Sequence, residues 1–167
     1  MSEREIPNYS PGGCFGCSTT NPYSLRLRFW YSEHGCSTRC SIPDYLCGLD
    51  GLVHGGILAL LMDEVAQWTN IARLGLLGVT RNISVQYYRP MKTETEMIVE
   101  SQIISHEEKS AVQQSTVHSA DGTLVAESRS EWIFPRLSTI AGMASVNEAM
   151  LQEFMAKYSG KEETAEQ

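Results

Sequence analysis

Residues 55 to about 74 constrain this chain more than any other segment. Ile57, Leu58, Leu60, Leu61, Met62, Val65, Ala66, Trp68, Ile71 and Ala72 surround most of a helix, and Gly75 stands where a C-terminal stop belongs. A helix that is apolar on nearly every side must be buried on nearly every side, so other elements have to wrap around it. The wrapping material follows directly. Residues 79–88, 96–105, 109–119 and 123–133 are rich in β-branched and aromatic side chains, and short turns at Arg89-Pro90, His106-Glu107-Glu108 and Ala120-Asp121-Gly122 separate them. They read as four successive antiparallel strands in a meander. Ahead of the helix, Leu25, Leu27, Phe29 and Tyr31 alternate with Arg26, Arg28 and Trp30, a half-buried strand whose partner is residues 36–42. The expected architecture is α+β, one curled antiparallel sheet around one long central helix.

The flanks are simpler. Residues 1–24, with Pro7, Pro11, Gly12, Gly13, Gly16 and Pro22, read as an extended lead-in, residues 25–137 as the domain, and 138–167 as a C-terminal helix and tail. Ser145 and Glu148 form a capping box ahead of Met150, Leu151, Phe154, Met155 and Tyr158, and residues 159–167 are expected to fray.

Composition narrows the partners. In 167 residues, 20 acidic against 13 basic side chains give a formal charge of −7, which repels phosphate backbones and makes nucleic acid a poor partner. The longest nearly apolar stretch, Ile57 to Met62, is too short for a bilayer, and Met-Ser-Glu-Arg-Glu lacks the order of a signal peptide. A cytoplasmic protein without membrane association is expected. Five cysteines, Cys14, Cys17, Cys36, Cys40 and Cys47, are an odd set and are expected as reduced thiols. Cys14-Phe15-Gly16-Cys17 has metal-knuckle spacing, but the nearest candidates to complete a site, Cys36 and Cys40, fall around a predicted strand, so no metal is expected. No helix pattern begins at the motif to support a redox role.

Chemistry concentrates at the helix. Val53-His54-Gly55-Gly56 opens it with backbone N–H groups that no side chain shields, where the helix dipole adds partial positive charge. A polarised carbonyl oxygen is a fitting ligand. Asp63 sits mid-helix among apolar residues, with no metal-ligand partner at helical spacing, and shares with Gly56, Ala59, Gln67 and Asn70 a small or polar stripe that can line a crevice, with Gln67 and Asn70 as substrate-binding candidates. Glu64 points about 100° away and reads as outward or interface-facing. Asp63 is eight residues, about 12 Å, beyond Gly55, whereas an attacking group and an oxyanion donor must each lie within about 3 Å of one small centre. If the two act together, one protomer supplies the amide and the other the carboxylate, with two central helices antiparallel about a twofold axis. A homodimer, or a homotetramer built from two of them, is the expected assembly.

These residues resemble those of the PaaI-like family of hotdog-fold acyl-CoA thioesterases over about residues 14–134. The resembling segments are Cys14-Phe15-Gly16-Cys17 with Asn21-Pro22-Tyr23-Ser24-Leu25, then Gly51-Leu52-Val53-His54-Gly55-Gly56-Ile57 to Leu61-Met62-Asp63-Glu64, and Gly78-Val79-Thr80 through Tyr87-Tyr88-Arg89-Pro90. The resemblance implies hydrolysis of an acyl-CoA, with no cofactor beyond the coenzyme A of the substrate. It puts the catalytic acid on Asp63, nine positions after His54, the oxyanion amide on Gly55 or Gly56, and an assisting hydroxyl on Thr80. His54 would orient the loop, and Gln67 would hold water. Arg81 and Arg89, with Lys92, are candidates for the nucleotide phosphates. The Cys-x-x-Cys lead-in departs from the phenylacetyl-pathway members. Two other readings are a non-catalytic acyl-CoA or fatty-acyl binding module on the same fold, and an acyl-thioester hydratase. Retention of Asp63 argues against the first. The second would need Asp and His placed at the acyl chain.

Overall fold

A computed structural model describes residues 4–10 and 12–158. Strands β1 (Glu5–Ile6), β2 (Phe29–Tyr31), β3 (Gly35–Cys40), β4 (Cys47–Leu49) and β5 (Leu52–Val53) precede helix α1 (Gly55–Thr69). After it come β6 (Val79–Tyr87), β7 (Met97–Glu107), β8 (Ser110–Ser119), β9 (Leu124–Ile133), α2 (Leu137–Met143) and α3 (Glu148–Ala156). Seven strands form one antiparallel sheet in the order β1-β2-β3-β7-β8-β9-β6, and β4 pairs with β5 in a separate hairpin. The long central helix and the curled sheet around it are the expected architecture.

The helix behaves as its sequence demands. Its last turn widens into a π-turn at Asn70–Leu74, and Gly75 ends it in the left-handed region with φ 63°. Leu58, Leu61, Met62, Val65, Ala66 and Trp68 are buried against the sheet. Trp68 stacks on Phe29 with ring centroids 4.8 Å apart, while Phe154 and Tyr158 meet it edge-on at 6.5 and 5.9 Å. The C-terminal helix therefore packs into the same core as the sheet. Burial is incomplete on one side: Ala59, Leu60, Asp63, Glu64 and Gln67 all keep partial exposure.

Polar ties fix the helix on the sheet. Gln113, fully buried on β8, donates from Nε2 to the Ala66 carbonyl at 3.0 Å and to Asn70 Oδ1 at 2.6 Å, and its Oε1 accepts from Ser101 Oγ at 2.9 Å. Each polar atom of the Gln113 amide has a partner, whereas Asn70 Nδ2 has none among the described residues.

Several expectations are corrected. The strand expected over residues 25–31 forms only at 29–31, because Arg26 takes φ 53° and the amides of Leu25 and Leu27 bond to the carbonyls of Phe15 and Gly16. The lead-in is not wholly irregular, since it supplies edge strand β1. The four-strand meander is also wrong in order: β6 lies beside β9 at the sheet edge, and β7 pairs with β3 instead. Residues 88–96 are therefore a crossover and not a hairpin turn. Backbone bonds from Val53 to Met91, from Thr93 to Gly51 and from Glu94 to Ile42 hold it under the helix start. The capping box does not form, because Asn147 caps α3 by accepting from the Ala149 amide. Helix α2 was not anticipated. The fraying expected at 159–167 lies outside the described residues.

Gln113→Leu should strand Asn70 Oδ1 and leave Ser101 Oγ only its 3.4 Å bond to the Gln114 carbonyl, so urea unfolding should show a loss of about 1–3 kcal/mol. At the β8–β9 turn, Asp121 accepts from Ser119 Oγ at 2.6 Å and from the Thr123 amide at 3.0 Å. These bonds lower its carboxyl to about 2. A depressed acid stabilises above its ordinary value and loses that contribution as pH falls through about 2, so the thermal deficit of Asp121→Ala should shrink from pH 7 towards pH 2.

Candidate active site

The helix start presents one free amide rather than two. His54 is the N-cap, and its Nδ1 accepts from the Gly56 N–H at 2.9 Å, which fixes that nitrogen as unprotonated and occupies the Gly56 donor. The amides of Ile57 and Leu58 bond to the His54 carbonyl. The Gly55 N–H has no hydrogen-bond acceptor among the described residues. Of the two glycines expected to offer an oxyanion donor, geometry leaves Gly55. The imidazole orients the helix start.

Gly55 borders an open cavity of about 300 Å³ lined by Val53, Leu58, Tyr87, Tyr88, Arg89 and Met91 among others. Tyr87 donates its hydroxyl to the Gly55 carbonyl at 2.8 Å, tying the end of β6 to the first residue of the helix. Sequence reasoning missed this residue. The aromatic pair Tyr87-Tyr88 closing a strand beside a Gly-rich helix start was the available signal.

Asp63 lies two turns further along α1, half-buried. Thr80 on β6 donates its hydroxyl to Asp63 Oδ1 at 2.7 Å, so helix and edge strand meet at this pair. Burial pushes the Asp63 carboxyl above its ordinary value, and the Thr80 hydroxyl opposes that rise by stabilising the anion. One turn on, Gln67 Oε1 accepts from the Gly78 amide at 3.3 Å, which spans the same crevice. Because α1 runs unbroken from 55 to 69, Gly55 and Asp63 of one protomer stay about 12 Å apart.

Other expected positions separate. Asn70 is fully buried and bonded to Gln113, so it belongs to the interior beneath the stripe and not to a ligand-facing surface. Arg89 stands at the Gly55 cavity, whereas Arg81 sits at a bulge in β6 between Thr80 and Asn82. Eight residues of extended chain, about 26 Å, divide them, so they do not form one patch within a protomer. Lys92 is exposed and bridges to Leu52.

Glu64 is not outward-facing. Its Oε1 lies 2.9 Å from Cys14 Sγ, and the loop carrying Cys14 and Cys17 covers it. Burial raises the Glu64 carboxyl, and hydrogen bonding with Cys14 followed by burial raises the Cys17 thiol. The Cys17 S–H is the main reason Cys14 is held low.

A model of the thioesterase superfamily matches residues 50–126, which carry β5, α1 and β6 to β8. Over that stretch the chain is similar to this superfamily, and it has the hotdog fold. Among solved structures, a thioesterase-superfamily protein determined by X-ray methods is 25 % identical with TM-score 0.64, over 71 % of this chain and 90 % of that one. A hypothetical thioesterase from Streptococcus pneumoniae TIGR4, solved with coenzyme A, is 18 % identical with TM-score 0.60, over 65 % of this chain and 85 % of that one. The E. coli PaaI protein from the phenylacetic acid degradation operon is 16 % identical with TM-score 0.61, over 66 % of this chain and 80 % of that one. No curated protein matches the sequence. No helix among the described residues is long and apolar enough to cross a membrane.

Proposed function

We propose that the protein hydrolyses an acyl-CoA thioester to the free acid and coenzyme A, at two equivalent sites shared between the protomers of a homodimer. The observation that carries this reading is the division of labour along α1. An open amide sits at Gly55, and a half-buried carboxylate held by Thr80 sits at Asp63, too distant to serve one carbonyl. Two antiparallel copies of the helix bring unlike ends together. The partly exposed stripe of α1 and the edge of β6, which pairs only with β9 among the described residues, are the surfaces available for that contact. The coenzyme A in the Streptococcus pneumoniae relative supports the choice of leaving group.

In the reaction the thioester carbonyl oxygen accepts the Gly55 N–H, and the partner's Asp63 takes a proton from water. The water oxygen bonds to the carbonyl carbon, and negative charge develops on the oxygen that Gly55 holds. Collapse breaks the carbon–sulfur bond, and the proton passes from Asp63 to the departing thiolate. Thr80 positions the carboxylate. Gln67, one turn further along α1, is placed to hold the lytic water. Arg89, which lines the cavity, would take the phosphates of the nucleotide. Direct attack by Asp63 on the carbonyl is the competing step, and a single turnover in ¹⁸O-labelled water separates the two. Label in the Asp63 carboxylate would overturn the general-base step.

Asp63→Asn should lower thiol release from acyl-CoA by at least about 100-fold, while the exposed Glu153→Gln control keeps it. Acyl-CoA binding without thiol release by the unaltered protein would instead favour the binding-module reading. Gly55→Pro removes the amide at the first helical position, where proline is tolerated, and should be inactive yet folded. In dimers exchanged at random between these two inactive variants, half are mixed and each mixed dimer regains one of its two sites, so about a quarter of the activity should return. No recovery, or a monomer by light scattering, would place the site within one protomer and overturn the shared arrangement.

A further inference from the structure

The lead-in loop and α1 bring together three ligand-bearing side chains that the proposed hydrolysis does not use. Cys14 Sγ, Cys17 Sγ and a Glu64 carboxylate oxygen all lie within 4.8 Å of one another. The expected third and fourth candidates, Cys36 and Cys40, belong to β3, and the helix supplies a carboxylate in their place.

The loop has the local form a metal knuckle requires. The Gly16 N–H donates to Cys14 Sγ at 3.3 Å, and the Ser18 amide closes the turn on the Cys14 carbonyl at 3.1 Å. Asn8 Nδ2 holds the Cys17 carbonyl at 2.6 Å. Gly16 is needed for a close approach: a Cβ there would stand 2.5 Å from Glu64 Cγ and Cδ. The loop is thus seated on the carboxylate, with both sulfurs turned to the same side as the oxygen.

We propose that Cys14, Cys17 and Glu64 bind one zinc ion, with water in the fourth position. Two thiolates select a borderline-soft cation such as zinc over magnesium or calcium, and a carboxylate oxygen is an accepted third ligand. Zinc–sulfur distances of about 2.3 Å and a zinc–oxygen distance of about 2.1 Å are reached by side-chain movements of about 1 Å. Partial exposure of Cys14 and Glu64 leaves room for the water. On binding, both thiol protons leave to solvent and the metal takes their place. The ion would pin the lead-in to α1 one residue away from Asp63. Its presence is independent of the thioester reading, since metal content is measured without any substrate.

The full-length protein, produced with zinc sulfate supplied and purified with a reductant but no chelator, should carry about one zinc per protomer by elemental mass spectrometry. Cys14→Ser and Cys17→Ser should lose it. Glu64→Gln should weaken it at least about tenfold in competition with a chromophoric chelator. Cobalt exchanged into the unaltered protein should give a thiolate-to-cobalt charge-transfer band that both serine variants lack. Should the serine variants not fold, Gly16→Ala retains both thiols and should still weaken zinc by displacing the carboxylate. Zinc-free protein under these conditions would overturn the proposal, as would metal retained in the Cys14→Ser variant. A mass two hydrogens low, from a Cys14–Cys17 disulfide in the protein as isolated, would overturn it as well.

Discussion

Everything in this fold depends on burying α1. A helix that carries Leu58, Leu61, Met62, Val65, Ala66 and Trp68 toward its surroundings has no stable existence in water, and the sheet has no core without it. Hydrophobic burial sets the pairing of helix and sheet but not their register, because apolar contact is non-directional. The register comes from the polar ties. Gln113 on β8 reaches Ala66 and Asn70, and Ser115 reaches the Met62 carbonyl at 3.3 Å, so successive turns of the helix are keyed to alternate inward positions of one central strand. Rotation of the helix by one residue would leave these groups unpaired. The position of Asp63 against Thr80 is inherited from that keying.

The side of α1 that the sheet leaves half-covered is the side that carries its ionisable groups. A fully wrapped helix could not keep Asp63 without a large desolvation cost, and a fully exposed one would leave its carboxyl at an ordinary value. Partial cover gives an intermediate environment, and the Thr80 hydroxyl then favours the anion. At the helix start the same logic applies to a dipole. His54 satisfies Gly56, the His54 carbonyl takes the next amides, and the Gly55 N–H, beside a cavity, is left without an acceptor among the described residues.

Much of this was legible in the residues because it follows from short-range periodicity. The helix bounds, the Gly75 stop and the five main strands that pack on α1 can be read from spacing and turn chemistry, since each depends on neighbours within about ten residues. Sheet order could not be read that way. Whether residues 88–96 make a hairpin or a crossover depends on backbone bonds from Val53, Thr93 and Glu94, which pair segments up to some fifty residues apart and leave no periodic trace. The collapse of the 25–31 strand has a similar cause, because the 14–17 turn competes for the amides of Leu25 and Leu27. At the site, His54, Gly55 and Asp63 were marked by being out of place, glycines opening a helix and an acid among apolar residues. Asn70 is expected at the ligand surface because it shares a small or polar stripe with Asp63 and Gln67. The π-turn and the reach of Gln113 draw it inward.

Glu64 shows why an adjacent pair of acids should be separated by environment and not by sequence alone. The two carboxylates are one residue and about 100° apart, so they face different neighbours. Asp63 meets β6 and a hydroxyl, while Glu64 meets the lead-in and a sulfur. Spacing along α1 places both acids on the helix but says nothing of the loop, because the contact between Cys14 and Glu64 spans fifty residues. Only Gly16 hints at it, since a residue without Cβ is what allows backbone to lie on a carboxyl group. The lead-in is therefore part of the construction around α1. It adds β1 to the sheet edge, buries Ile6 and Cys17 in the core, and covers the acid that lies away from Thr80.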